Sequence, residues 1–532
     1  MFWRCNTFDQ GLPLYLTRVI KLTDVCTCIR IERAVQYHPS TDCGRMSSSE
    51  QLMQMIKGYL GVHTINKWTL SKSPLDGLGL FATEDIAAGE VIFVDKPLIF
   101  GPRAGANLPR GCTVCSTLDS DTFFKCSSCA LLLCSEKCQN TNVHRDDCNI
   151  ISRWINKVPM EEVDVTIMSR SLAVIRVLLL NENELELLAT LEAHKQPQHG
   201  FEVKALREYF EIPEEEEKLM LLACRIYDTN AYQMAVNYGK REMSMRGLYP
   251  VACRMNSICV PNVRYSFNGN NDMIVAAVKP IRAGSEINTC YSGLLWGTPA
   301  RQMHLKRTKH FICKCERCAD PTERGTLLSA LKCFNNGCRG SLISTKPLIS
   351  TAAWRCLECD IRIPSKNIFA VQNALGSMLA MLEFKSFNDL ENFLLHRVTN
   401  FIPKTNQIVV DLQIRFIFGT EDIGLKELSE SRLALKESLC RGVLRVVAAL
   451  GLGDAHHRGL LLYHLHATLA ERARRCPDLY EDLKPEIEST IEQAYNILRD
   501  DISAPPDLEL RRRYLGPGSD KPHEERFFIL DS

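Results

Sequence analysis

The chain has 532 residues, room for three or more domains, and its 64 Lys and Arg residues nearly cancel its 63 Asp and Glu residues. That balance excludes a global charge bias toward nucleic acid. The most apolar run, Leu172–Leu180, is too short for a membrane span and carries Arg176, and the N-terminus has no charged-then-apolar signal, so neither a membrane segment nor export is expected.

Residues 1–66 carry Cys5, Cys26, Cys28 and Cys43 without clean periodicity. We expect a poorly ordered extension in which Met46 could serve as an alternative start. Residues 90–100, EVIFVDKPLIF, are apolar and β-branched and end at Gly-Pro, which predicts strands. From Val165 to Leu179, Met168, Leu172, Ile175 and Leu179 recur at helical spacing. Residues 213–227 predict a second helix, with Pro213 and four glutamates at the end where the helix dipole favours negative charge. Residues 263–278 predict two strands around an Asn/Gly/Asp turn. After about residue 365 the pattern is helical. One stripe joins Leu435, Leu439, Val443, Val446 and Leu450, a second Leu462, Leu465 and Leu469, a third Ile487, Ile491, Tyr495 and Leu498. Gly451, Pro477 and Pro485 are expected to punctuate them. Such stripes are core-facing surfaces, and consecutive ones predict a stacked helical-hairpin domain without a repeat consensus.

The 24 cysteines are the strongest feature. Beyond residue 100 most fall in close groups, the pattern of metal sites in a reducing compartment rather than of disulfides. Residues 112–148 order their candidate ligands as Cys112 and Cys115, Cys126 and Cys129, Cys134 and Cys138, His144 and Cys148. Four close pairs suit two tetrahedral zinc ions, and closed sites of this kind are structural. The segment carries Lys125, Lys137 and Arg145 against Asp119, Asp121, Glu136, Asp146 and Asp147, a slightly acidic balance that favours a protein partner over DNA. Cys313, Cys315 and Cys318 lack a fourth ligand nearby. Cys333, Cys338, Cys356 and Cys359 suit a ribbon-like four-cysteine zinc site.

The ligand order of residues 112–148 resembles a MYND finger. A RING finger also interleaves eight ligands, but its histidine usually falls mid-series, whereas His144 is seventh. The MYND resemblance assigns Cys112, Cys115, Cys134 and Cys138 to one zinc and Cys126, Cys129, His144 and Cys148 to the other. The flanks are SPLDGLGLFATEDIAAGEVI (73–92), GLYPVACRMNSICVPN (247–262), AGSEINTCYSG (283–293) and FICKCERC (311–318). In this order they resemble a SET methyltransferase domain split by a MYND finger, the SMYD family. The run CERCADPTERGTLLSALKC is most similar to the arthropod SmydA group.

The resemblance covers about residues 67–510 and implies a multidomain α+β architecture. In it, a β-rich SET fold is split by a MYND zinc finger and followed by a cysteine-rich post-SET region and an all-α TPR-like C-terminal domain. Its expected divisions after the 1–66 extension are a first SET part (67–111), the finger (112–148), a helical SET insertion (149–225) and the SET core (226–295). The post-SET zinc region (296–320), the four-cysteine segment (321–365), the TPR-like domain (366–510) and a tail (511–532) follow. It implies a protein-lysine N-methyltransferase that uses S-adenosylmethionine on a histone or other protein, acts in negative regulation of transcription, and lies in the nucleus, the cytoplasm or both. Two zinc ions belong to the finger, one to the post-SET region and one to the four-cysteine segment. The finger would take a proline-rich peptide; no membrane and no sequence-specific nucleic acid are expected as partners.

The resemblance also assigns roles. Gly77 and Gly79 let the backbone approach the cofactor, with Leu78 in place of a polar contact. Asn230 and Asn256 match asparagines that hold its amino-acid end, and Phe311 an aromatic that packs on adenine. Tyr291 matches the tyrosine at the methyl-transfer point, and Tyr232 an aromatic of the lysine channel. Cys259 becomes the fourth ligand for Cys313, Cys315 and Cys318. Ser257 stands where the family writes histidine, a position that meets adenine partly through its backbone. Lys309 stands where it has a second channel tyrosine; a cation pointing inward there would repel a protonated substrate lysine. Ser257 and Lys309 favour the alternative of a catalytically weak adaptor that recruits partners through its finger. A ubiquitin ligase built on the finger is a third reading, disfavoured by the histidine order and the SET flanks.

Overall fold

The computed structural model describes residues 49–60, 67–102, 111–118, 122–194, 200–238, 241–381, 386–400, 402–519 and 526–527. The first element is already a departure from expectation. Helix α1 (Ser49–Leu60) lies within the stretch expected to be poorly ordered. Leu52 and Ile56, one turn apart, bury against the core that holds Trp68 and Leu80. Two apolar residues suffice once a neighbouring sheet supplies the other half of the contact. The rest of the expected extension, including Met46, lies outside the described residues.

Three small antiparallel sheets surround that core. Strands β1 (Trp68–Lys72), β2 (Leu78–Ala82), β3 (Val91–Asp95) and β4 (Ile99–Pro102) come from the first SET part. After the finger come helices α2 (Val165–Ile175) and α3 (Glu214–Asn230), then strands β5 (Tyr232–Tyr238), β6 (Arg241–Leu248), β7 (Val263–Phe267), β8 (Met273–Ala277) and β9 (Glu286–Ile287). The sheet orders are β1-β2-β9, β4-β6-β5 and β7-β8-β3. Each therefore joins strands from before and after the finger, so the finger is an insertion in one fold. Trp68 and Leu70 of β1 alternate inward, as a half-buried strand requires. Helix α2 packs on β4, where a Cβ on Gly101 would stand 3.1 Å from Ala173. Helix α3 opens with Pro213 before four glutamates. Strands β7 and β8 form the expected hairpin.

Helix α4 (Thr298–Thr308) leads into the post-SET cysteines. The four-cysteine segment is a four-stranded antiparallel sheet, β10 (Leu331–Lys332), β11 (Ser341–Ser344), β12 (Trp354–Cys356) and β13 (Arg362–Ile363), in sequential order. Helices then dominate: α5 (Ser365–Met381), α6 (Gln407–Ile423), α7 (Glu430–Leu450), α8 (His456–Arg475), α9 (Tyr480–Leu498) and α10 (Leu508–Leu515). Val443, Val446 and Leu450 of α7, Leu465 and Leu469 of α8, and Ile487, Ile491 and Leu498 of α9 share one core. Gly451 ends α7 in the left-handed conformation, φ +72°, its N–H bonded to the Val447 and Ala448 carbonyls. Pro477 lies between α8 and α9 as expected, but Pro485 does not punctuate. It sits inside α9, on the second turn, close enough to the helix start to cost only one interior hydrogen bond.

The helical domain docks on the β7-β8 sheet. Asp454 N–H donates to the Val278 carbonyl (2.9 Å), Ile502 N–H to the Phe267 carbonyl (2.8 Å), and Arg264 to the carbonyls of Asp454 and Asn496. A Cβ on Gly453 would stand 2.1 Å from the Val278 oxygen, so only glycine permits this approach. Among the described residues no helix is long and apolar enough to cross a membrane.

Candidate active site and metal centres

The cysteines gather into four sets. Cys112, Cys115, Cys134 and Cys138 form one; Cys126, Cys129, His144 and Cys148 the second; Cys259, Cys313, Cys315 and Cys318 the third; Cys333, Cys338, Cys356 and Cys359 the fourth. Within each, all ligand atoms lie within 4.8 Å of one another. A tetrahedral zinc with bonds of about 2.3 Å to sulfur needs sulfurs about 3.8 Å apart. The separations fit: Cys134 to Cys138 is 3.5 Å, Cys126 to Cys148 4.0 Å, Cys259 to Cys313 3.9 Å and Cys338 to Cys356 3.6 Å. His144 Nδ1 meets the Gln139 carbonyl at 2.8 Å, and Nε2 faces Cys129 Sγ at 3.5 Å. That hydrogen bond places the proton on Nδ1 and leaves Nε2 as the ligand atom. Every set is closed with four soft or borderline ligands, the donor set of structural zinc.

The third set has a polar surround that sequence reasoning missed. Arg301 of α4 is fully buried; its Nη2 lies 3.4 Å from Cys318 Sγ and its Nη1 2.9 Å from Glu323 Oε2. Arg317, also buried, donates to the carbonyls of Cys259 (2.9 Å), Leu294 (2.7 Å) and Trp296 (2.9 Å). Four thiolates around one divalent ion leave net negative charge, and two guanidiniums sharing Glu323 offset it. Nothing but the folded chain brings these residues together.

Cys259 ties this centre to the segment that carries Asn256 and Ser257. Residues 256–258 run beside 289–291: Ile258 N–H donates to the Thr289 carbonyl (2.9 Å), and Thr289 N–H to the Asn256 carbonyl (3.0 Å). Ser257 Oγ accepts from Tyr291 N–H at 3.0 Å, so the residue in the histidine position holds the tyrosine segment in place. The Asn256 amide donates to the carbonyls of Leu78 (3.3 Å) and Asp76 (3.4 Å) and to Glu286 Oε1 (2.8 Å). Ser73 Oγ donates to the same carboxylate oxygen at 2.8 Å. A Cβ on Gly79 would stand 2.4 Å from that oxygen, whereas Gly77, at φ +54°, has open space where its Cβ would be. Gly79 thus serves close packing, and Gly77 leaves an approach to backbone. Glu286 had no assigned role, although it lies within the quoted AGSEINTCYSG.

Tyr291 Oη donates to the Met255 carbonyl at 2.6 Å, one residue before Asn256. Tyr232 Oη donates to the Ala252 carbonyl at 2.8 Å, and its ring meets Tyr265 at 5.1 Å. Burial raises the pKa of both phenols well above the ordinary value, so they stay protonated donors. Phe311 and Tyr291 both pack on the Cys259 cluster. Lys309 points inward: its Nζ donates to the Thr229 carbonyl and lies 5.1 Å from the centroid of the Tyr291 ring. Burial lowers its pKa.

The Asn230 amide donates to the carbonyls of Glu192 (2.7 Å) and Ile226 (2.8 Å). The structure joins Gly77, Leu78, Gly79, Asn256, Ser257 and Tyr291 and gathers Phe311 beside them; Asn230 shares none of those hydrogen bonds, though its neighbour Thr229 meets Lys309. Asp119 and Asp121 of the finger lie outside the described residues.

Comparison with known proteins agrees with this geometry. The family described as SET domain matches residues 77–292, from the glycine loop to just past Tyr291. The SET domain-containing protein SmydA-8, isoform B, of Drosophila melanogaster is 32% identical over 427 residues, 78% of this chain and 94% of that protein. Histone-lysine N-methyltransferase ASHR1 of Arabidopsis thaliana is 26% identical over 385 residues, 65% of this chain and 78% of that protein. Histone-lysine N-methyltransferase SMYD3 of Mus musculus is 27% identical over 275 residues, 48% of this chain and 61% of that protein.

Proposed function

The chain belongs to the SMYD/SmydA family of SET domain proteins, and from that premise we propose that it is an S-adenosylmethionine-dependent protein-lysine N-methyltransferase. One observation carries the reading: Asn256, gripping the Gly77–Gly79 loop, is joined through the Met255 carbonyl to the Tyr291 hydroxyl. When bound, S-adenosylmethionine supplies a sulfonium methyl group open to in-line attack by an amine. The chain's own residues hold and align. The open approach at Gly77 and the Asn256 amide would hold the cofactor's polar end, and Phe311 would pack on its ring. Tyr291 and Tyr232, kept neutral, shape the channel rather than take a proton, so orientation does the catalytic work.

The finer assignments belong to the same proposal. The acceptor is a lysine of a histone or another protein, the role is negative regulation of transcription, and the place is nucleus, cytoplasm or both. The finger takes a proline-rich peptide, and the four sulfur-rich sets hold four zinc ions. Metal analysis of the purified chain tests the last point: about four ions per chain supports it, and about two sinks the sets at Cys259 and Cys333.

Activity is tested by calorimetry with S-adenosylmethionine and by transfer to histones, beside Tyr291→Phe. Transfer that falls about a hundredfold in the variant, with cofactor affinity kept, is the expected result. Binding without transfer above the variant's level would defeat the enzyme reading and favour an adaptor that recruits partners through its finger. The inward Lys309 ammonium supports that second reading, because it occupies space a substrate lysine would need.

A further inference from the structure

Lys309 is oddly placed for a lysine. It follows α4, where its N–H bonds to the Leu305 carbonyl. His310 then takes the left-handed conformation, φ +61°. That turn sends Phe311 and Cys313 into the zinc cluster while Lys309 points into the protein. Lys306 and Lys314, on either side, are exposed. The Lys309 ammonium instead meets the Thr229 carbonyl and the face of Tyr291. Burial outweighs the Cys253 thiol and Asp228, which favour its charge from nearby. Enclosure against a carbonyl and a ring lowers the lysine's pKa and so eases loss of its proton to give the neutral amine, which is the nucleophilic form. Tyr291 connects this amine to the Gly77–Asn256 cradle through Met255 and Ser257, on either side of Asn256.

We propose that Lys309 is a methyl acceptor within its own chain: a lysine held at the transfer tyrosine and modified in cis. The inference rests on the methyltransferase reading. In the step, the Nζ lone pair forms a bond to the sulfonium methyl carbon as the carbon–sulfur bond breaks. That bonding pair goes to sulfur, leaving S-adenosylhomocysteine and a protonated N-methyl lysine. The proton that the ammonium must shed beforehand goes to solvent. A tethered amine needs no encounter, which raises its effective concentration over any free acceptor.

The full chain is incubated with S-adenosylmethionine carrying a trideuterated methyl group, and its peptides are sequenced by mass spectrometry. The expected result is label on Lys309, with a rate per chain independent of protein concentration, absent at that position in Lys309→Arg and reduced in Tyr291→Phe. Label on other lysines or on an added histone, with Lys309 blank, overturns the inference and leaves the methyltransferase reading standing. No label anywhere despite cofactor binding overturns both. Labelling of Lys309 that rises with chain concentration overturns the cis route. A second readout needs no cofactor: competitive labelling with trace acetic anhydride should find Lys309 several-fold slower than Lys306 and Lys314. Equal reactivity would remove the enclosed amine on which the inference stands.

Discussion

The helical domain and the post-SET region bury side chains of different kinds. In the first, Leu450, Leu465, Leu469, Ile491 and many others form one continuous apolar core. In the second, the buried apolar cluster is Leu305 with three cysteines, Cys259, Cys313 and Cys318. Hydrophobic burial distributes stability over many contacts. A metal centre concentrates it in four, and places Phe311 and Tyr291 through them. The region that carries the chemistry is therefore held at a few points, and the region that carries no assigned chemistry is held at many.

Metal removal should break the comparison most visibly. Zinc binding to such a site is worth on the order of 10 kcal/mol. Chelation should abolish cofactor binding while far-UV circular dichroism keeps most of the helical signal of residues 407–498. A single collapse of both would show that the two regions share one fate. Next is Glu323→Gln. The carboxylate is 2% exposed and bridges Arg301 and Arg317; removing its charge breaks these buried ion pairs at a cost of about 4 kcal/mol. Thermal unfolding should show the loss, with zinc content falling too.

Asp95 gives a pH test of the SET half. It is fully buried, and burial raises its pKa from 3.8 to about 7 against three backbone N–H bonds, from Val251, Ala252 and Lys96, that lower it. Below pH 4 the carboxyl is protonated in folded and unfolded chains alike. Between pH 4 and 7 only the folded chain keeps the proton. Above pH 7 the fold carries a buried charge. This group's contribution therefore falls as pH rises from 4 to 7, by about 4 kcal/mol as an order of magnitude. Asp95→Asn should flatten that slope in pH-dependent denaturant titrations. The smallest effect is expected in the redundant core: Leu469→Ala should cost about 2–3 kcal/mol by thermal unfolding, with zinc content and cofactor binding unchanged.

What was legible in the sequence follows from how local each signal is. The zinc sets were readable because their ligands come in pairs two to five residues apart, and MYND-like order gave the interleaving. Cys259 has no such neighbour and needed the family pattern to find its partners. Glu323 looks like any surface glutamate until Arg301 is folded over it, 22 residues away. The partners of Asn230 were not legible, because the Glu192 carbonyl lies 38 residues away in sequence, although the Ile226 carbonyl is one turn back. Helix α1 was missed because two buried side chains make no periodic signal by themselves. Pro485 reads as a break in sequence, yet a proline near a helix start removes little.

The docking of the helical domain on β7 has one more consequence. β7 is the outer strand of its sheet, bonded to β8 on one side only. Ile502 donates to Phe267 at one end of β7, Arg264 of β7 reaches the carbonyls of Asp454 and Asn496, and Asp454 meets Val278 just past β8. A shortened protein lacking α7 to α10 would bare that strand with Phe267 beside it, inviting strand-to-strand aggregation between molecules. The all-helical half thus doubles as the solubility cover of the SET half, and the two are better expressed together than apart.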